Sequence, residues 1–195
     1  RLPRFRFVPP GRGAVANETQ PPPPLPPSVR TMVLLGDIGE RNPRRACYAN
    51  LRRFMPNALR HTYRVWTSGA WLDMIKGQAI FVNLHKICGD ATQPLETVRL
   101  AQIISSGRLV ISEPSNAEDE SAYASIPSFI VRSNMSEIAE AFRNLTKDSD
   151  DRWRGLAESG RAGFRQLFDP SAIFQRAGVH ELLRRPRRRH LPLVR

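Results

Sequence analysis

Residues 80–114, IFVNLHKICGDATQPLETVRLAQIISSGRLVISEP, read as strand, loop, helix and strand, and this order decides the fold class of the chain. Residues 79–84 and 108–112 are short apolar runs of the kind buried on both faces of a parallel sheet. Between them Pro94 suits a first helical turn, and Leu95, Val98, Ala101 and Ile104 recur along one predicted face. Gly107 follows the last of these, where a left-handed C-cap is expected. The unit is βαβ, and its crossover is right-handed.

The same alternation extends in both directions. Residues 32–36 (MVLLG) form a predicted first strand, followed by a helix over 44–54. Residues 60–66 give a second strand, and a short helix runs over 69–76, with Trp66 and Trp71 read as packing residues. A fifth strand lies at 127–131. A helix capped by Ser133 or Asn134 follows, with Ile138, Ala141, Phe142 and Leu145 at helical spacing. A last helix, over 150–168, carries Trp153, Leu156, Ala157, Gly160 and Phe164 on one face, and the acidic stretch 114–123 is left as a loop or short turn over the cleft. The predicted fold is α/β: one doubly wound, Rossmann-like domain with a mainly parallel five-stranded sheet and helices on both faces.

Chemistry in such a sheet gathers at the carboxyl ends of the strands. Glu96 and Arg99, three residues apart, share a face near the start of the predicted helix. His85 ends the strand before it and Glu113 the strand after it, so four polar groups are expected on one rim. The plainer alternative is a surface ion pair and two loop residues. At the first strand-to-helix turn, Gly36, Gly39, Arg44 and Arg45 have the composition of a phosphate site, with backbone amides and a helix N-terminus assisted by guanidinium charge. The turn is neither a GxGxxG nor a Walker motif.

The strings VNLHK, LETVR and GRLVISE resemble the nucleotide-sugar-binding half of GT-B glycosyltransferases, especially the group 1 and spore-maturation-type families. Their pattern is close to LNxH followed by LExxRxxEALxxGxxVVSE, matched here by Asn83, Leu84, His85, Leu95, Glu96, Arg99, Gly107, Val110, Ser112 and Glu113. The likeness runs from about residue 32 to residue 168, and Gln102 stands where the family has a glutamate. The resemblance implies a strand order of 3-2-1-4-5. It also implies catalytic roles for Glu96, Arg99 and His85, and nucleotide contacts from Gly36, Arg44, Arg45, Gln102, Ser112 and Glu113. The implied donor is a nucleotide diphosphate sugar, with no separate cofactor and no metal, and the acceptor is a glycan, protein or small molecule that the sequence does not identify. An amide at Gln102 can accept a ribose hydroxyl but carries no charge.

Length and charge bound these readings. A chain of 195 residues holds one α/β domain but not the two of a GT-B enzyme, so an N-terminal acceptor domain is expected to be missing; the start at Arg1 suggests a fragment, a processed form or a partial gene product. The net charge of +12 would ordinarily point to nucleic acid. The tails, 1–30 and 184–195, hold eleven of the thirty basic residues and one of the eighteen acidic ones, which leaves a nearly neutral body of nineteen against seventeen. We therefore read 1–30, with its PPPPLPP run, as a disordered proline-rich linker, 31–183 as the donor-binding domain and 184–195 as a disordered basic tail. Nucleic acid becomes a third reading, behind a donor-binding domain and a degenerate noncatalytic one. Cys47 and Cys88 are too few for a disulfide framework and lack metal-ligand spacing with the four histidines, which fits a reducing, cytoplasmic setting. The acidic run 148–151 falls between two predicted helices, as a cap or linker, and no apolar stretch is long enough to span a membrane.

Overall fold

The computed structural model describes residues 30–147 and 151–168, apart from positions 64 and 66. Trp66 and the expectations for the proline-rich N-terminal stretch, for most of the acidic run and for residues 169–195 lie outside the described residues. In chain order the elements are β1 (Met32–Leu35), α1 (Arg44–Phe54), β2 (Leu59–Thr62), α2 (Ser68–Gly77), β3 (Ile80–Asn83), α3 (Thr97–Ser105) and β4 (Leu109–Ser112). Then come α4 (Ala117–Tyr123), β5 (Phe129–Val131), α5 (Met135–Lys147) and α6 (Asp151–Phe168). All four strand pairings are parallel, so the predicted α/β, doubly wound class is the observed one. The stretch after β4 is more ordered than a loop. Asn116 accepts a hydrogen bond from the Asp119 amide, and Glu118, Asp119 and Glu120 place negative charge in the first turn of α4.

The strand order is β2-β1-β3-β4-β5, which corrects the expected 3-2-1-4-5. The reason lies in the strands' own residues. All four residues of β3 are buried, as a strand flanked on both sides requires, whereas β2 (LRHT) buries only Leu59 and suits an edge. Met32 accordingly sits between Leu59 on one side and Ile80 on the other. Strand alternation divides the core in two. Met32 and Leu34 face Cys47, Leu51, Ile138, Phe142 and Trp153, while Val33 and Leu35 face Ile75, Leu100, Ile103 and Ile104. Thus α1 and α5 cover one face, α2 and α3 the other. Each fully buried Leu or Ile in these layers contributes about 2 kcal/mol relative to an exposed one.

Helix α3 starts later and faces differently from expectation. Pro94 and Leu95 precede it, Glu96 occupies the N-cap position, and the buried residues are Leu100, Ile103 and Ile104, with Val98 half exposed. Steps of three residues at about 100° each fall some 60° short of a turn, so Val98 and Ile104 stand about 120° apart around the helix and do not share one face, while Leu95 joins the same core layer as Ile104 from the segment before the helix. The C-terminus follows the sequence. Gly107 has φ +70°, its amide donates to Ile104 O at 2.9 Å, and the Arg108 amide donates to Ile103 O at 3.3 Å. The buried Arg108 side chain then caps two carbonyls, Ile75 O at 2.8 Å and Gly107 O at 3.2 Å, and burial pushes its guanidinium down to about 10.

Helix α6 passes from one core layer to the other: Trp153 and Ala157 pack in the first, Phe164, Leu167 and Phe168 against the second. The crossing point is Gly160, where an added Cβ would lie 1.9 Å from Ser128 Oγ and 2.8 Å from the Ser128 backbone nitrogen. Gly155, in the same helix, has nothing within 4 Å of an added Cβ. Glycine costs a helix interior about 1 kcal/mol relative to alanine, and overpacking against backbone costs about 1–3 kcal/mol. Gly155→Ala is therefore expected to raise stability by about 0.5–1 kcal/mol and Gly160→Ala to lower it, in urea denaturation. Equal effects of the two substitutions would refute this close crossing.

Candidate functional site

Because β2 lies on one side of β1 and β3 on the other, the chain reverses direction across the sheet between β1 and β3. The two crossovers leave a crevice outside the carboxyl ends of these strands, the usual ligand position in open α/β sheets. Three charged side chains meet there. One carboxylate oxygen of Glu96 pairs with Arg44 and the other with Arg99. Arg99 Nη1 also donates to Leu35 O at 2.6 Å, which ties α3 to the end of β1. Gly36 completes the arrangement. Its φ of +134° lies in the region that favours glycine, and a Cβ would sit 2.7 Å from Arg44 Nη1 and 3.3 Å from Arg99 Nη1.

The loop between β1 and α1 is shaped by its own short polar residues. Asp37 Oδ1 accepts from the Gly39 amide at 2.8 Å, which holds this exposed carboxyl below its usual value, and Asn42 Oδ1 accepts from the Arg44 amide at 3.0 Å. Asn42 thus serves the start of α1, whose first turn carries no acidic residue. Beside it opens a cleft of about 590 Å³ walled by Asp37, Gly39, Glu40, Arg41, Asn42, Pro43 and Lys86. Arg44 is not in that wall but begins the helix immediately after it. Burial pushes the Arg99 guanidinium below its ordinary value, opposed by Glu96, which favours its charge.

His85 and Glu113 form a separate pair. Both are 2% exposed. Glu113 Oε1 accepts from the His85 amide and Oε2 from the Gly89 amide, each at 2.8 Å, so one carboxylate clamps the loop after β3. The His85 ring donates from Nε2 to Pro114 O at 2.8 Å, which places the proton on that nitrogen because a carbonyl only accepts. Ser112 is also committed, accepting from Asn83 Nδ2 at 2.9 Å and donating to Glu113 O at 2.7 Å. The four-residue rim is thus two clusters: Glu96 and Arg99 joined by Arg44, and His85 joined to Glu113. Arg45 is exposed and faces a second concavity with Tyr48 and Arg52, and Gln102 is half buried, six residues beyond Glu96.

The cysteines correct the sequence reading. Cys47 of α1 and Cys88 of the loop after β3 are joined in a disulfide, with Cα atoms 5.4 Å apart. Their separation of 41 residues gave no local signal; only the fold brings α1 beside that loop. For a ring of this size the chain-entropy treatment gives a stabilisation on the order of 4 kcal/mol. Lys86, in the cleft wall one residue after His85, was also missed, since a lone lysine has no spacing to mark it. Among the described residues no group of three or more His, Cys, Asp or Glu is placed to hold a metal ion, and no helix is long and apolar enough to cross a membrane.

No protein-family model matches this chain, and no curated protein matches it either.

The Glu113 clamp gives a direct test. A glutamine there keeps one acceptor but turns an amide N–H₂ toward a backbone N–H, leaving a donor unpaired at a cost of about 1–3 kcal/mol. Glu113→Gln is expected to lower the urea midpoint accordingly and to speed hydrogen exchange at His85 or Gly89. An unchanged midpoint and unchanged exchange would mean that the loop is held without this carboxylate.

Proposed function

We propose that the crevice between β1 and β3 binds the diphosphate of a nucleotide sugar, and that the chain is the donor-binding part of a GT-B-type glycosyltransferase. The observation that carries this reading is the convergence of Arg44 and Arg99 at the carboxyl end of β1, beside the N-terminus of α1. Transfer of a sugar from such a donor builds negative charge on the departing diphosphate. Two guanidiniums and a helix N-terminus, held in a partly desolvated crevice, stabilise that charge without reorganising. Glu96 is the group in the crevice able to accept sugar or ribose hydroxyls. The acceptor, whether glycan, protein or small molecule, would then be bound by a second α/β domain closing over the cleft.

A second reading, a domain that holds the nucleotide without transferring sugar, is favoured by the state of His85 and Glu113. Both are buried, with the two Glu113 carboxylate oxygens and His85 Nε2 already engaged, and an amide, Gln102, stands where the resembled pattern has a carboxylate. Release of free sugar or of glycosylated acceptor from a nucleotide sugar separates the two readings; nucleotide binding alone does not.

The binding step is checked by calorimetry and ligand-observed NMR with uridine, guanosine and adenosine diphosphates at millimolar concentration. At least one is expected to bind. Charge-assisted bonds are worth about 1.5–3 kcal/mol each, so Arg44→Met and Arg99→Met are each expected to weaken that binding by at least about tenfold. If none of the three nucleotides binds the wild-type chain, the nucleotide-sugar reading falls.

A further inference from the structure

Arg44 and Arg99 are not idle in the crevice, because Glu96 holds both. Three features describe how it does so. First, Glu96 is the most exposed of the three side chains, at 30% against 5% for Arg44 and 18% for Arg99, although its Oε2 is buried. Second, Glu96 stands at the N-cap position of α3 without making a side-chain cap bond, so its carboxylate can leave without releasing the helix. Third, the guanidiniums are under-supplied. The Nε atoms of Arg44 and Arg99 are both buried without a hydrogen-bond partner, although each guanidinium presents five donors and the shared carboxylate offers two oxygens.

We propose that Glu96 is an intramolecular stand-in for the ligand's diphosphate, which displaces it from Arg44 and Arg99 on binding. This rests on the diphosphate reading above and adds how the site is occupied between ligands. Two guanidiniums brought together at a crevice floor repel each other and carry a desolvation cost, so a carboxylate between them keeps the empty site assembled. A diphosphate supplies more acceptor oxygens and more negative charge than one carboxylate, and it lies against the N-terminus of α1, where an anion is favoured. The displaced carboxylate is then available to the ligand's hydroxyls. The stand-in lowers affinity for any anion by the free energy of its own two ion pairs.

Inorganic pyrophosphate, which has no base or sugar, is the probe. Calorimetry on the full chain compares wild type with Glu96→Gln, which removes the competing charge, and Glu96→Asp, whose shorter carboxylate cannot bridge both guanidiniums. Glu96→Gln is expected to bind pyrophosphate at least about tenfold more tightly than wild type, with a smaller gain for Glu96→Asp. Adding Arg99→Met to Glu96→Gln should abolish the gain. If both single variants bind no more tightly than wild type, or more weakly, the stand-in role is overturned. Should Glu96→Gln fail to fold, the Glu96→Asp comparison decides alone. A gain for pyrophosphate with no binding of any nucleoside diphosphate would retire the nucleotide reading and keep the stand-in, whereas nucleotide binding with no gain would do the reverse.

Discussion

Parallel strands cannot be joined by tight turns, so each connection in this chain must travel across a face of the sheet and bury an apolar stripe on the way. Everything distinctive about the crevice follows from where that travel changes direction. After β2 the chain returns past β1 to lay down β3, and the two connections on either side of the reversal diverge. Arg99 reaches from α3 to the Leu35 carbonyl, and Arg44 enters from α1 over Gly36, where a side chain would collide with it. The crevice is a by-product of connectivity; the charges in it are a matter of sequence.

Those charges contribute more to position than to stability. Withdrawing two guanidiniums and a carboxylate from water costs several kcal/mol per ion, and their mutual attraction roughly offsets it. Well-packed apolar side chains would hold α1, α3 and β1 together as firmly. What apolar residues would not do is fix the relative placement of donors across three separate elements. The neighbouring His85–Glu113 cluster works differently, since its partners are backbone amides and a carbonyl, and it sets the path of one loop.

Much of this was legible in the sequence, because apolar runs and helical stripes record which residues must leave water. Helix α1 occupies the residues expected, and four of the five strands lie within the expected stretches; β2 runs Leu59–Thr62 where 60–66 was expected, starting one residue early and ending short of residue 66. Strand order was not legible from the resemblance, yet it was written in the polarity of β2, whose Arg60 and His61 fit an edge better than a flanked position. The helix before β4 was misjudged for a geometric reason: a repeat of three drifts around a helix, and the closer-spaced Leu100, Ile103 and Ile104 marked the true buried side. Glu96 and Arg99 were found by their spacing, but Arg44, 52 residues from Glu96, could be joined to them only by the fold. The Cys47–Cys88 bond escaped for the same reason.

That bond has a mechanical consequence. It closes a covalent ring that contains β2, α2 and β3, including the central strand. Under tension applied at the chain ends, the load passes through the sulfur bridge and bypasses the ring. About 140 Å of backbone contour, the reach of 41 extended residues, is withheld from extension. A single peptide-bond cut inside the ring, between Cys47 and Cys88, likewise leaves one covalent molecule that separates into two chains only when the sulfurs are reduced. The loop after β3, which carries Lys86 in the cleft wall, thus stays tethered to α1 after a break in the backbone between them.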